Sequence, residues 1–248
     1  MRTFTPIHSF RLDPNGVTDE ETLDFAGDTL AVYRSLYQGM VPLGEWIQTR
    51  VASFVREWLP GWMTSHGQIA DLGNPAIQSR SWDIMVHRPV PDSWGFPPPA
   101  SPSGPWPLVP KELCCAVIDT KGRYNTPRDY AKKPVFDLYL TPDRPPQGPF
   151  LHPIVPILFI VASTYPPETV EAAGLDCGVP SFVVAKAVDH RGPKGTEAVD
   201  WILNPGQKKG TALQALRQTL LEASEQWRKR NETGQSGQQT SVQAKARR

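Results

Sequence analysis

The 248 residues are 39% hydrophobic and 21% charged, enough apolar content for one full core, and one domain with additions is expected. A net charge of +1 excludes a chain coated in positive charge, and no apolar run approaches the roughly 18 residues of a membrane-spanning helix. Residues 1–10 lack the long apolar stretch of a secretory signal, so a soluble, cytoplasmic protein is expected. Cys114, Cys115 and Cys177 offer neither a CxxC pair for zinc nor an even disulfide framework, which points to buried free thiols in a reducing compartment. The charge is unevenly spread. From Arg228 onward six basic residues stand against Glu232 alone, leaving the body before it slightly acidic. Residues 231–248 are expected to form a disordered basic tail, which can reach phosphates, behind a single domain spanning 1–230.

In chain order, Thr18 and Glu21 read as a capping box opening a helix that runs towards Tyr37 and stops at Gly39. Pro42 opens a second helix with Ile47, Val51, Phe54, Val55 and Trp58 on one stripe, and Leu59-Pro60 closes it. Gly67 to Ala70 is a short strand leading to the Gly73-Asn74-Pro75 turn. Ser81 to His87 is the next strand, with Trp82, Ile84 and Val86 on one face and Asp83, Met85 and His87 on the other. Residues 89–110 form a long, stiff, proline-rich loop. A strand from Cys114 to Lys121 follows, then a turn over Gly122 to Pro127. Ile154 to Ala162 is a strand, Pro167 to Ala173 a short helix, Phe182 to Val188 a strand and Thr211 to Lys229 the closing helix. Gly192 to Gly195 is a turn between elements. Helices and strands in this order make an α/β layered fold.

The strand Cys114-Cys115-Ala116-Val117-Ile118-Asp119-Thr120-Lys121 is the part that points to chemistry. Alternation places Asp119 and Lys121 on one face at the end of an apolar run. A buried strand with an acid and a base at its tip calls for a partner, a metal or a water-filled cleft in front of it. Asp83 joins them if neighbouring strands bring the two carboxylates to one point. Two hard oxygen donors at the end of a sheet suit a divalent cation that keeps several waters, magnesium or manganese rather than zinc. A lysine beside it orients or deprotonates the attacking water and offsets charge developing on a phosphate.

Over residues 43–188 the pattern of acid-bearing helix, strand, strand with Asp83 and strand ending Asp119-Thr120-Lys121 resembles the PD-(D/E)XK nuclease superfamily. The likeness is greatest to a bacterial subgroup associated with restriction and phage defence. The resemblance implies a restriction-endonuclease-like core, a central mixed sheet flanked by helices, and magnesium- or manganese-dependent hydrolysis of nucleic acid, DNA rather than RNA. It implies Asp83 and Asp119 as metal ligands, Lys121 as the catalytic lysine, and an acid from the second helix. A helical wheel centred on Ile47 favours Glu57 for that acid, whereas the family's habit of placing it early favours Glu45, which is taken here. Trp82 stands where the motif has proline, Asp119 where glutamate is usual, and Thr120 where an apolar residue is common. The 36-residue interval between Asp83 and Asp119 accommodates the proline-rich loop as an insertion.

His87 shares the face of Asp83, although a histidine at a strand end is more often a structural hydrogen-bonding group. Arg80, Arg123, Lys132 and Lys133 flank the two strands and are candidates for contact with a nucleic-acid backbone. Trp94, Trp106 and Tyr124 are candidates for base stacking, with packing of the proline-rich loop the plainer role. The chain contains no GxSxG elbow, Walker loop, HExxH or dinucleotide fingerprint. The leading expectation is therefore a nuclease, working as a homodimer or with a partner protein of a defence complex. The alternatives are a catalytically inactive nuclease-fold module that binds or assembles, and a hydrolase of a small phosphorylated molecule.

Overall fold

A computed structural model describes residues 7–12, 19–36, 43–71, 79, 81–91, 108–124, 154–176, 178–191, 197–203 and 210–245, and the side chains of most of these. Eight strands and four helices are described: β1 Ile7–Leu12, α1 Glu20–Leu36, α2 Leu43–Trp58, β2 Met63–Ala70, β3 Trp82–His87, β4 Leu108–Pro110, β5 Cys114–Tyr124, β6 Val155–Ser163, α3 Pro167–Leu175, β7 Ser181–Arg191, β8 Glu197–Leu203 and α4 Ala212–Lys245. The strands form one sheet in the order β1-β8-β7-β6-β5-β3-β2-β4. β5 runs parallel to β6 on one side and antiparallel to β3 on the other, so the sheet is mixed. This is the expected α/β architecture, a central mixed sheet flanked by helices.

The sheet separates two apolar layers. On one face Ile84, Val86, Ala116, Ile118, Ile157, Phe159 and Val161 meet Phe25 and Leu30 of α1, the stripe of α2 and Leu213, Leu216 and Leu220 of α4. The α2 stripe foreseen from its spacing is buried, Ile47, Val51 and Val55 completely. On the other face lie two smaller clusters. Ile69, Trp82, Met85, Val109, Cys114 and Val117 form one, and Leu158, Ile160, Val170, Val179 and Val183 form the second, beneath α3. β5 alternates between the layers, which is why it reads as a nearly unbroken apolar run.

Local chemistry sets the helix boundaries. α1 is capped by Asp19, whose Oδ1 accepts the Thr22 N–H at 2.7 Å, while Thr18 lies outside the described residues. Glu21 accepts the Trp58 indole N–H at 3.3 Å, tying α1 to α2. After α2 the chain reverses through Gly61, whose φ of 80° suits a residue without a Cβ. The Gly61 carbonyl accepts the Arg88 guanidinium at 2.7 Å, fixing this turn against the end of β3.

Several expectations are corrected. β2 begins at Met63, four residues before the expected strand. β5 continues through Gly122, Arg123 and Tyr124, because β6 runs alongside with Arg123 opposite Ala162 and Tyr124 opposite Ser163. β4 occupies the last three residues of the stretch expected to be proline-rich loop. It is the edge strand beside β2, where proline's missing donor is tolerated. β1 and β8 were not foreseen; each is short, and each is stabilised by parallel pairing with the other across the whole chain. Trp82 packs with Met85, not with Ile84 and Val86, where the β2 register shifts between Ser65 and Gly67. The closing helix begins at Ala212 and runs past its expected end at Lys229 to Lys245, since an established helix adds one hydrogen bond for each residue fixed. The turns at 73–75 and 192–195 lie outside the described residues.

Candidate functional site

The site forms at the end of the β3–β5 ladder. The last paired residues are Ile84 and Ile118, and one further step along this antiparallel register sets Asp83 opposite Asp119. There the ladder changes character. The Thr120 N–H donates to Asp83 Oδ2 at 2.7 Å, a side-chain carboxylate serving where a strand would offer a main-chain carbonyl. The Thr120 hydroxyl donates to the same oxygen at 2.9 Å. The Asp83 and Asp119 carboxyl groups lie close enough for the charge of Asp83 to act on Asp119. Two neighbouring strands thus end with carboxylates near one another.

Lys121 follows on the same face of β5, and its ammonium is paired with Asp119 Oδ1. Both side chains are largely enclosed, with 24% of Lys121 and 16% of Asp119 exposed. Burial raises the Asp119 pKa to about 6; the Lys121 ammonium pulls it down and the neighbouring Asp83 pushes it up. Asp119 therefore exchanges its proton closer to neutral pH than an ordinary aspartate does. On β6 it lies beside Leu158, so the polar cluster is set between the two apolar clusters of this face.

The strand carrying Asp83 is braced from β2. His66 donates from Nδ1 to the Asp83 carbonyl at 3.3 Å, and Ser81 Oγ lies 3.1 Å from its Nε2. His87 is buried, with Nδ1 on the Arg88 carbonyl at 2.8 Å and Nε2 on Ser65 Oγ at 2.9 Å, so both ring nitrogens are engaged in holding β3 to its surroundings. Burial lowers its pKa and keeps the ring neutral. An open groove of about 230 Å³ between α2 and β2 runs up to Asp83, lined by Gln48, Thr49, Arg56, Thr64 and His66 among others.

Asp83, Asp119 and Lys121 are brought together. Glu45 is exposed in the first turn of α2 and Glu57 is exposed near its end; among the described residues no third His, Cys, Asp or Glu joins the two aspartates in a metal-sized group. Arg123 lies in β5 near its end, with its side chain outside the described set. Arg80, Lys132, Lys133, Trp94 and Trp106 fall outside the described residues. Thr120, His66 and the groove residues were not singled out. Thr120 was legible only as an unexpected polar residue within the motif, because its role depends on where the ladder ends.

Two adjacent carboxylates fit a magnesium or manganese ion, which takes one or two protein carboxylates and completes its shell with water and phosphate oxygens. They do not fit a structural zinc site, which needs four protein ligands rich in sulfur and nitrogen.

No protein-family model matches the sequence, and no curated protein is significantly similar to it. Among solved structures, NucC of E. coli MS115-1 in its cAAA-bound form is similar with a TM-score of 0.48 and 12% identity, covering 86% of this chain and 93% of that one. NucC of P. aeruginosa ATCC27853, also cAAA-bound, gives a TM-score of 0.46 and 14% identity, covering 85% and 98%. The apo form of the E. coli protein gives 0.44 and 13%, covering 82% and 89%. At these values the likeness carries no reading of activity, which rests on the site itself.

Proposed function

We propose that the protein is a metal-dependent nuclease acting on DNA, with Asp83 and Asp119 as the ligands of a magnesium or manganese ion and Lys121 as the group that serves the attacking water. The register that sets Asp83 opposite Asp119 at the end of the β3–β5 ladder, with the Lys121 ammonium paired to Asp119, supports this reading most directly. A divalent cation held there supplies Lewis-acid polarisation of a phosphate oxygen and an acidified water. The chain's own part is to hold the acids in register, to keep the Lys121 ammonium within reach of charge developing on the phosphate, and to line the approach. Lys121 is well suited to the second task because it is fixed by Asp119 and largely enclosed, where an ammonium acts with little screening. The groove beside Asp83 carries one guanidinium, one amide, one imidazole and three hydroxyls, groups of the kind that bind a sugar–phosphate backbone. A place in restriction or phage defence, as a homodimer or with a partner protein, follows from the family resemblance.

The test is cleavage of supercoiled plasmid and of a labelled single strand in magnesium, manganese or EDTA. Wild type is expected to cut in either metal and not in EDTA, with Asp119→Asn and Lys121→Ala each reducing the rate about 100-fold or more, as loss of a metal ligand or of a charge-stabilising group does. No cutting, or cutting that survives both substitutions, overturns the proposal and favours a binding or assembly module on the same scaffold.

A further inference from the structure

We propose that Thr120 is a positioning residue for Asp83, setting the carboxylate that the proposed metal site uses; this rests on the nuclease reading above. Both donors of Thr120 meet one acceptor, the N–H at 2.7 Å and the hydroxyl at 2.9 Å from Asp83 Oδ2. A single hydrogen bond leaves a carboxylate free to rotate about it. Two donors on the same oxygen, from a residue itself only 7% exposed in a central strand, fix both the rotamer and the plane of the group. One oxygen of Asp83 is thereby committed to the fold and the other remains for the site. The hydroxyl is the component that sequence controls, because every residue except proline supplies the N–H. An apolar residue at 120 would leave Oδ2 with the main-chain donor alone, so threonine here is explained by what Asp83 requires.

Manganese affinity measured by calorimetry and DNA cleavage measured at saturating manganese test this in the full chain. Thr120→Val keeps the shape and strand preference of the side chain and removes the donor. It is expected to weaken manganese binding about tenfold and to lower kcat by a similar factor with KM for DNA unchanged, the range seen when a group that orients a metal ligand is removed. Thr120→Ser restores the donor and is expected to stay within about twofold of wild type on both readouts. Thr120→Ala, expected to behave as the valine variant, replaces it if valine does not fold. A valine or alanine variant equal to wild type overturns the role of Thr120 while leaving the nuclease reading in place, and so does a serine variant as impaired as valine, which would make the role one of packing. A wild-type protein that neither binds manganese nor cuts DNA overturns the nuclease reading and this inference with it.

Discussion

Asp119, largely enclosed, and His87, buried, are ionisable groups on adjacent strands whose protonation acts on stability in opposite directions. The folded chain holds the Asp119 proton up to about pH 6, above the ordinary aspartate value, so between about pH 4 and 6 it binds more protons there than the unfolded chain and the contribution of Asp119 to stability falls as pH rises. His87 is held neutral, so the unfolded chain binds the extra proton and stability falls as pH drops below about 6.5. Chemical unfolding in EDTA is expected to show this: relative to wild type, Asp119→Asn gains stability as pH is raised from 4 to 7, and His87→Gln gains as pH is lowered from 7 to 5. A constant difference across either window would place those pKa values at their ordinary positions. The site itself was only partly legible at this scale. Asp83, Asp119 and Lys121 announce themselves as charges closing apolar strands, whereas Thr120 follows Ile118 by alternation and looks like a filler until the end of the ladder is known. Asp83→Ala would also be an ambiguous probe of chemistry, because it leaves the buried Thr120 N–H without its acceptor; Asp83→Asn keeps the acceptor oxygen.

Helix termini are where the elements are joined. Asp19 caps α1 through Oδ1 and accepts the Thr211 hydroxyl on Oδ2 at 2.7 Å, while Thr211 and Gln214 form a reciprocal cap on α4 with bonds of 3.2 and 3.1 Å. One carboxylate thus serves the beginnings of two helices. Asp19→Ala is expected to cost about 1–2 kcal/mol in urea unfolding, and a double-mutant cycle with Thr211→Val is expected to show coupling of about 0.5–1 kcal/mol. Strict additivity would mean that the two caps act independently. The local half of this arrangement was within reach of sequence reading, which placed both helix starts to within two residues. Its other half was not, since nothing near Thr18 or Asp19 indicates a partner 192 positions away. The same limit explains β1, β4 and β8. Short strands at sheet margins carry little periodicity, and what stabilises them is pairing with distant segments.

At the scale of the whole molecule, α4 clamps the helical layer to the strand side. Trp227 packs edge-on against Trp62 with ring centroids 5.2 Å apart, and its indole N–H donates to the Glu112 carbonyl at 2.8 Å, just before β5 begins. Trp227→Ala is expected to lower stability by about 2–4 kcal/mol and to change the fluorescence of the remaining tryptophans, whereas a surface change such as Gln218→Ala stays within about 0.5 kcal/mol. Equal effects would show that the fold closes without this contact. The overall layering was legible because β5 and the α2 stripe are long and strongly patterned; how the chain's ends meet was not. That meeting has a consequence for how the protein is made. β1 pairs with β8, and Asp19 at the start of α1 is joined by Thr211, so on the ribosome β1 and Asp19 wait for partners made much later in the chain. Until β8 has left the exit tunnel β1 is held without its strand partner, although Phe25 of α1 can already pack on Phe54 and Phe159, and a nascent chain paused in that interval exposes an unpaired strand that a chaperone would shield.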